Sequence, residues 1–213
     1  MNLTDTSSHR DKHLNDAYGV YTLKKKHKLV KRLRKRSEPI IHGTKVWDSS
    51  YLVMDYLEKN PLAPRSRVMD LGCGWGSLSI YCAVRHQANV TAVDADENVF
   101  PYLNVQAALN DVTLKTKCNK FHKVSRKSLA KQDVVVGSDI CFWDNMVTSL
   151  YKAIKKSLAS GVRQVIIADP GRETFLKLAK KCEKKLDAEL VEYKTSYPAA
   201  IDGYLLIISN SRN

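Results

Sequence analysis

Val68-Met69-Asp70-Leu71-Gly72-Cys73-Gly74-Trp75-Gly76-Ser77-Leu78-Ser79-Ile80-Tyr81-Cys82-Ala83 is the stretch that decides the fold. An apolar run closes on an acid, three glycines follow at alternate positions, and apolar residues then return at helical spacing. This pattern predicts a strand, a tight glycine loop and a helix start. Glycine admits backbone angles and close approaches that a β-carbon blocks, so a ligand can lie directly on the main chain. The dinucleotide fingerprint G-x-G-x-x-G is not met: the third glycine comes one residue early, at Gly76, and Ser77 takes the sixth place. A glycine loop alone also serves as a purely structural turn, so the following strand has to decide.

That strand is Asn89-Val90-Thr91-Ala92-Val93-Asp94, β-branched and ending in a carboxylate that Ala95 and Asp96 follow. An acid at this strand tip can accept both hydroxyls of a ribose, which points to a nucleoside-containing cofactor without separating a sulfonium from a nicotinamide. A strand-end aspartate that caps the next turn is the plainer alternative. With Asp70 two residues before Gly72, the D-x-G-x-G-x-G run resembles the first motif of class I S-adenosylmethionine (SAM)-dependent methyltransferases. The resemblance extends over residues 40 to 209. It implies an α/β fold: a doubly wound, Rossmann-like sheet of seven strands, mostly parallel with an antiparallel last strand, and helices on both faces. It also implies SAM as cofactor, contacted by Asp70, Gly72, Cys73, Gly74, Gly76, Asp94 and Ala95.

The chain has 213 residues, enough for one α/β domain with a full core. We expect residues 1–38 to form a mobile or helical basic extension and residues 39–213 the methyltransferase domain. No apolar run reaches the length of a membrane span, and the polar stretch Met1 to Arg10 lacks a signal-peptide core. Residues 1 to about 14 read as polar and mobile. The five cysteines, Cys73, Cys82, Cys118, Cys141 and Cys182, are dispersed without a metal-ligand spacing. They predict free thiols, no structural metal and a cytoplasmic setting. His42, His86 and His122 stand alone in sequence and carry no assignment.

The formal net charge of +13 is unevenly placed, because nine lysines and arginines between Lys24 and Arg36, with no acid among them, leave +4 for the rest. From Asp16 to Arg36, Val20, Leu23, His27, Val30 and Leu33 recur at three and four, which predicts a basic amphipathic helix. Such a face could meet nucleic acid, an anionic membrane or an acidic protein, or be merely solvated. Pro39 ends it. Next, Val46-Trp47-Asp48 precedes a helix capped by Asp48 or Ser49. This entry segment resembles that of the seven-strand protein lysine methyltransferases, the family that includes the electron-transfer-flavoprotein β-subunit lysine methyltransferase. The resemblance implies that Trp47 lies near SAM; packing of the helix onto the sheet is the alternative.

Beyond Asp94 the pattern predicts a helix over Glu97 to Asn110 and a strand over Thr113 to Cys118. Many methyltransferases carry an acid after this strand to hold the adenine amine; here Lys120, Phe121, His122 and Lys123 follow instead, backbone groups or Phe121 could substitute, and how the adenine is held does not follow from the sequence. The valine run Val134 to Val136 reads as a buried central strand, with Gly137, Ser138 and Asp139 at its carboxyl end, where a doubly wound sheet puts ligands. Ser138 is therefore a further candidate cofactor contact. Asp139-Ile140-Cys141-Phe142 resembles the D-x-x-Y/F motif of the same lysine methyltransferases, which implies catalytic roles for Asp139 and Phe142. Asp144 is a second candidate carboxylate, and a helix-capping role is the alternative for either acid. A helix near Met146 to Leu158, a strand over Val162 to Ala168, a helix over Glu173 to Leu186 and strands over Leu190 to Thr195 and Tyr204 to Ser209 complete the expected order. The turn Asp169-Pro170-Gly171-Arg172 also resembles the lysine methyltransferase, and Arg172 would reach a substrate carboxylate or neutralise the rim of the strand.

These readings favour N-methylation of a protein lysine. The remaining alternatives are an RNA or small-molecule N-methyltransferase, which the basic segment and the missing N/D-P-P-Y/F prolines pull in opposite directions, and a non-catalytic nucleotide-binding module. The acceptor, the methylated atom and the oligomeric state do not follow from the sequence.

Overall fold

A computed structural model describes residues 13–210. The polar start expected to be mobile lies almost wholly outside the described residues. The chain opens on a hairpin, β1 (Leu14–Ala17) and β2 (Val20–Leu23), then a short helix α1 (Lys28–Arg34) and a longer one, α2 (Ser49–Lys59). An alternation follows: β3 (Arg67–Leu71), α3 (Ser77–His86), β4 (Asn89–Asp94), α4 (Phe100–Leu109), β5 (Lys115–Cys118), α5 (Arg126–Leu129), β6 (Val134–Ser138), α6 (Asp144–Ala159), β7 (Gln164–Asp169) and α7 (Glu173–Leu186). The hairpin β8 (Glu189–Thr195) and β9 (Ile201–Ser209) closes it.

Seven strands make one sheet in the order β5-β4-β3-β6-β7-β9-β8. β3 sits between two parallel neighbours, β4 and β6, while β9 runs antiparallel to both β7 and β8. The strand order therefore reverses beside β3, and a doubly wound sheet opens a crevice at such a point. Strands covered on both faces read as continuous apolar runs, which is why Val134 to Val136 and Val165 to Ala168 carry no polar alternation. Successive side chains go to opposite faces. Val68, Val134, Val136, Ile166 and Leu205 pack with Leu52, Val53, Leu57, Ile80 and Tyr81 of α2 and α3. Met69, Leu71, Val135, Ile167 and Leu206 pack with Leu150, Ile154, Phe175, Leu178 and Cys182 of α6 and α7.

The helix expected from Asp16 to Arg36 is replaced by the β1–β2 hairpin and the seven-residue α1. Tyr18 and Gly19 both have positive φ, 53° and 74°, the backbone of a two-residue hairpin turn. The flanking Val20-Tyr21-Thr22-Leu23 is β-branched and aromatic, and its partners on the domain are specific. Leu23 N donates to Gln106 Oε1 at 2.8 Å and Tyr21 N donates to Asn110 Oδ1 at 2.8 Å, both on or next to α4. The Tyr18 hydroxyl reaches the carbonyl of Tyr197 at 2.6 Å and Asp55 Oδ1 at 3.1 Å. Burial, only partly offset by Thr195, pushes this phenol up to about 12. Tyr18→Phe keeps the ring but strips the bond to Tyr197 and to Asp55, and we expect a loss of about 1–2 kcal/mol. A fall in the urea midpoint checks it.

Two smaller departures have local causes. The helix expected from Glu97 begins as a 3₁₀ turn, Glu97–Val99, because Pro101 falls in the first turn of α4. Asp48 makes no side-chain cap to α2, and the Trp47 carbonyl instead accepts from Ser50 N at 3.2 Å and Ser50 Oγ at 2.7 Å.

Candidate functional site

The carboxyl ends of β3, β4 and β6 open onto a cavity of about 520 Å³. Its floor is the glycine loop. Gly72, Gly74 and Gly76 all have positive φ, at 72°, 51° and 81°. They are not equivalent. A β-carbon on Gly72 would fall 2.3 Å from Ile140 Cγ2 and one on Gly76 would fall 2.7 Å from Leu103 Cγ, whereas one on Gly74 would meet nothing within 4 Å. Packing demands the first and third glycines; the second opens onto the cavity.

Asp94 stands at the tip of β4 beside this loop. Its Oδ2 accepts from Gly74 N at 2.9 Å and its Oδ1 from Asp96 N at 3.0 Å. Each oxygen keeps a lone pair for a further donor. Burial raises the Asp94 carboxyl above its usual range, against the opposing effect of those amides. Below the loop lies a smaller hollow of about 30 Å³, lined by Asp70, Cys73, Ser77 and the underside of Trp47 and Gly74. Asp70 is 2% exposed and accepts from Ser79 Oγ at 2.6 Å. Burial pushes its carboxyl up to about 7, the Ser79 hydroxyl opposes the shift and the Asp94 charge adds to it.

The Asp70 shift has a stability consequence. The folded-state value lies above the ordinary carboxyl value of 3.8, so the native protein holds this proton more tightly than the unfolded chain does. Stability is fully present below pH 4 and is lost as pH rises toward about 7. We expect Asp70→Asn to flatten that slope, worth on the order of 4 kcal/mol for a shift of this size. Urea unfolding of both proteins at pH 4 and pH 8 measures it.

The opposite wall is built on the end of β6, which pairs with β7. Asp139, at the end of β6, has φ of 54°, a left-handed backbone uncommon outside glycine, and its N–H is tied to the Ala168 carbonyl at 3.0 Å. Its Oδ1 pairs with Arg172 Nη1 at 2.7 Å and its Oδ2 accepts from Ser49 N at 3.3 Å. The same Nη1 pairs with Asp169 Oδ2 at 2.7 Å. Asp169 also accepts from the amides of Gly171 and Arg172, at 3.0 and 2.8 Å. Burial works against the guanidinium charge, but Asp139 and Asp169 outweigh it and Arg172 stays above its usual range. The Arg172 Cζ lies 4.3 Å from the Phe142 ring centre and 5.9 Å from that of Trp47. His42 stacks on Phe142 at 4.0 Å and tilts against Trp143 at 4.8 Å. Its buried Nε2 has no hydrogen-bond partner. On the third side, Asn119, Phe121 and His122, between β5 and α5, complete the cavity.

Of the residues singled out in the sequence, Trp47, Gly72, Gly74, Asp94, Ala95, Ser138, Asp139 and Phe142 line the main cavity. Asp70 and Cys73 line the hollow beneath it. Gly76 lines neither and shapes the left-handed entry to α3. Asp144 opens α6, its side chain is 78% exposed, and it pairs with Lys177 at 3.2 Å, outside the cavity lining. The N-cap of α6 is Trp143 and not Asp144, whose carboxylate in the first turn complements the helix dipole. The sequence did not announce His42, Asn119, Ile40 or Ile41 as wall residues, since each comes from a segment with no motif. Arg172 faces inward to Asp139 and Asp169, neutralising the rim of β7.

The sequence model of a family described as lysine methyltransferase matches residues 25–182. The human electron transfer flavoprotein beta subunit lysine methyltransferase is 28% identical over 134 residues, which is 61% of this chain and 49% of that protein. The chain thus spans about half the length of the curated relatives it matches. Among solved structures, the human methyltransferase 10 domain containing protein superposes with a TM-score of 0.60 at 13% identity, covering 85% of this chain and 94% of that one. Magnesium protoporphyrin IX methyltransferase from Synechocystis PCC 6803, solved with bound SAH, superposes with a TM-score of 0.54 at 19% identity over 75% and 81% of the two chains. At such identities these likenesses concern the fold. The glycine loop, the strand-tip acid and the sheet order agree with it, and on the family match over most of its length this chain belongs to the lysine methyltransferase family.

Proposed function

We propose that the chain transfers a methyl group from SAM to the side-chain amine of a protein lysine. One observation carries this reading: a single cavity holds the Gly74–Asp94 pair on one wall and Asp139, with Phe142 and Trp47, on the other, and Asp139 is paired outside the lining with Arg172, which also pairs with Asp169. The donor set suits the cofactor. The space above Gly74 is room that a side chain would fill, and Asp94 offers two carboxylate oxygens with capacity left for hydroxyl donors. Gly72, Gly74, Asp94, Ala95 and Ser138, with Trp47 above and Asp70 and Cys73 below, would hold it; Asn119 and Phe121 would flank the adenine. Bound SAM supplies a methyl group already activated on sulfur.

The chain's own residues then have to orient an amine and let it lose a proton. A lysine ammonium has a reference pKa of about 10.4, so it arrives charged. Counting Arg172 against Asp139 and Asp169, the trio carries one net negative charge in a buried setting, which attracts a cation. Phe142 and Trp47 hold the Arg172 guanidinium against their rings, at 4.3 and 5.9 Å, which helps to fix the partner of Asp139, and Phe142 contributes no hydroxyl. With both Asp139 oxygens engaged, we assign it orientation of the amine, and the proton leaves to water. Asp144 has no part in this scheme.

The test is to incubate the full chain with methyl-labelled SAM and a cell extract and to fractionate the label. Label in protein, recovered as methyl-lysine after hydrolysis, supports the reading. Label in RNA or in small molecules overturns it.

A further inference from the structure

The basic segment from Lys24 to Arg36 has a counterpart that the net charge conceals. Between Val112 and Gln132 the chain carries Lys115, Lys117, Lys120, Lys123, Arg126, Lys127 and Lys131, again without one acid. The two segments together hold sixteen cations, so the +13 net charge becomes −3 for all the remaining residues. The protein is not basic in general. It carries two basic segments on a slightly acidic body.

Both segments run into the walls of the cavity. Arg36 precedes Ile40 by four residues, a reach of at most about 14 Å, and Ile40 to Gly43 line one side of the mouth. Val30 of α1 packs with Tyr102 of α4 and Trp75 of the glycine loop, which fixes the first segment on the β4–β5 half of the sheet. The second segment comprises β5, the exposed edge strand, and continues through Asn119 to His122, themselves wall residues. Lys31, Lys35, Lys117 and Lys123 are all exposed. The cofactor gives no reason for this arrangement, since SAM, with its sulfonium, ammonium and carboxylate, carries one net positive charge. The rim between the segments is apolar: Ile40 is 80% exposed and Trp143 is 48% exposed. Inside, Asp139 lines the cavity, and together with its partner Arg172 and Asp169, which lie outside the lining, it makes a group of net charge opposite in sign to the rim.

We infer that the acceptor is a lysine set among acidic residues, its flanks held by the two basic segments while its amine enters the acidic interior. The inference rests on the lysine reading above and adds the substrate class. An RNA would satisfy the flanks but would bring a neutral base to the anionic trio, so the protein segment fits both parts. Electrostatic complementarity of this kind acts through encounter rate and falls with salt.

The full chain and methyl-labelled SAM should be assayed on three synthetic peptides with one central lysine, flanked by aspartate and glutamate, by alanine, or by arginine. We expect kcat/KM on the acidic peptide to exceed that on the alanine peptide by about tenfold or more at low salt, with the gap closing at high salt. The charge reversals Lys31→Glu/Lys35→Glu and Lys117→Glu/Lys123→Glu should each remove most of that preference while leaving SAM affinity unchanged. Anisotropy of the labelled acidic peptide and of a single-stranded RNA of equal charge is read in parallel, without turnover. Salt-sensitive peptide binding lost in the reversal variants supports the inference even if no peptide is methylated, in which case the lysine reading alone fails. Equal rates on acidic and alanine peptides overturn it, as does binding of the RNA but not of the acidic peptide.

Discussion

Asp139→Ala is expected to lower methyl transfer by about 100-fold to 10,000-fold while SAM affinity stays within about twofold of the parent. The carboxylate lies on the wall opposite Asp94 and touches none of the glycine loop by hydrogen bond. Its loss leaves Arg172 paired with Asp169 alone, and the buried trio changes from one net negative charge to neutral. A neutral pocket no longer draws an ammonium out of water, so the amine is neither oriented nor concentrated beside the methyl group. Asp139→Asn sharpens the reading, because it keeps the shape and the contact with Ser49 N but removes the charge. If orientation by charge is the role, the asparagine variant falls nearly as far as the alanine variant. Asp144→Asn, at the exposed head of α6, should leave turnover unchanged. Labelled-methyl transfer and calorimetric titration with SAM, run on all three proteins, separate the steps. Undiminished transfer by Asp139→Ala would refute the role given to that carboxylate.

Much of the sheet and half of the site were legible because they follow from local rules. Parallel strands covered on both faces announce themselves as unbroken apolar runs, and the alternate glycines after Asp70 mark a loop whose left-handed angles other residues avoid. Asp94 and Asp139 were recognisable as strand-tip acids because a doubly wound sheet presents ligands there. What stayed hidden depends on pairs distant in sequence. Arg172 and Asp139 are thirty-three positions apart, and only the parallel register of β6 on β7 brings their turns together. His42 and Phe142 stack across a hundred residues. Near the start of the chain the error was of another kind: the spacing of Val20 and Leu23 reads as helical, but Val20-Tyr21-Thr22-Leu23 is a β-branched and aromatic run, and Gly19 was the punctuation that should have broken the helix. The second basic segment was masked differently, by a strand assignment that drew the eye from its charge.

The second large effect is on cofactor binding alone. Among the three loop glycines, Gly74 is the position where an added β-carbon meets no other atom within 4 Å, so the Gly74→Arg side chain starts into open space and not into the core. Its φ of 51° lies in the left-handed region, which costs a non-glycine residue about 1–2 kcal/mol. The fold should tolerate that. The guanidinium chain, however, extends into the space proposed for SAM and brings a positive charge against a positively charged ligand. We expect SAM affinity to fall by at least about 100-fold, about 2.7 kcal/mol, with far-ultraviolet circular dichroism unchanged. Gly72→Val is the contrast, because its β-carbon would sit 2.3 Å from Ile140 Cγ2 and the buried packing beneath must move. That variant should lose thermal stability and SAM binding together. Calorimetry with SAM, alongside thermal unfolding without it, distinguishes the two. Wild-type affinity in Gly74→Arg would mean that the cofactor does not lie over this glycine, and the assignment of the whole cavity would have to move with it.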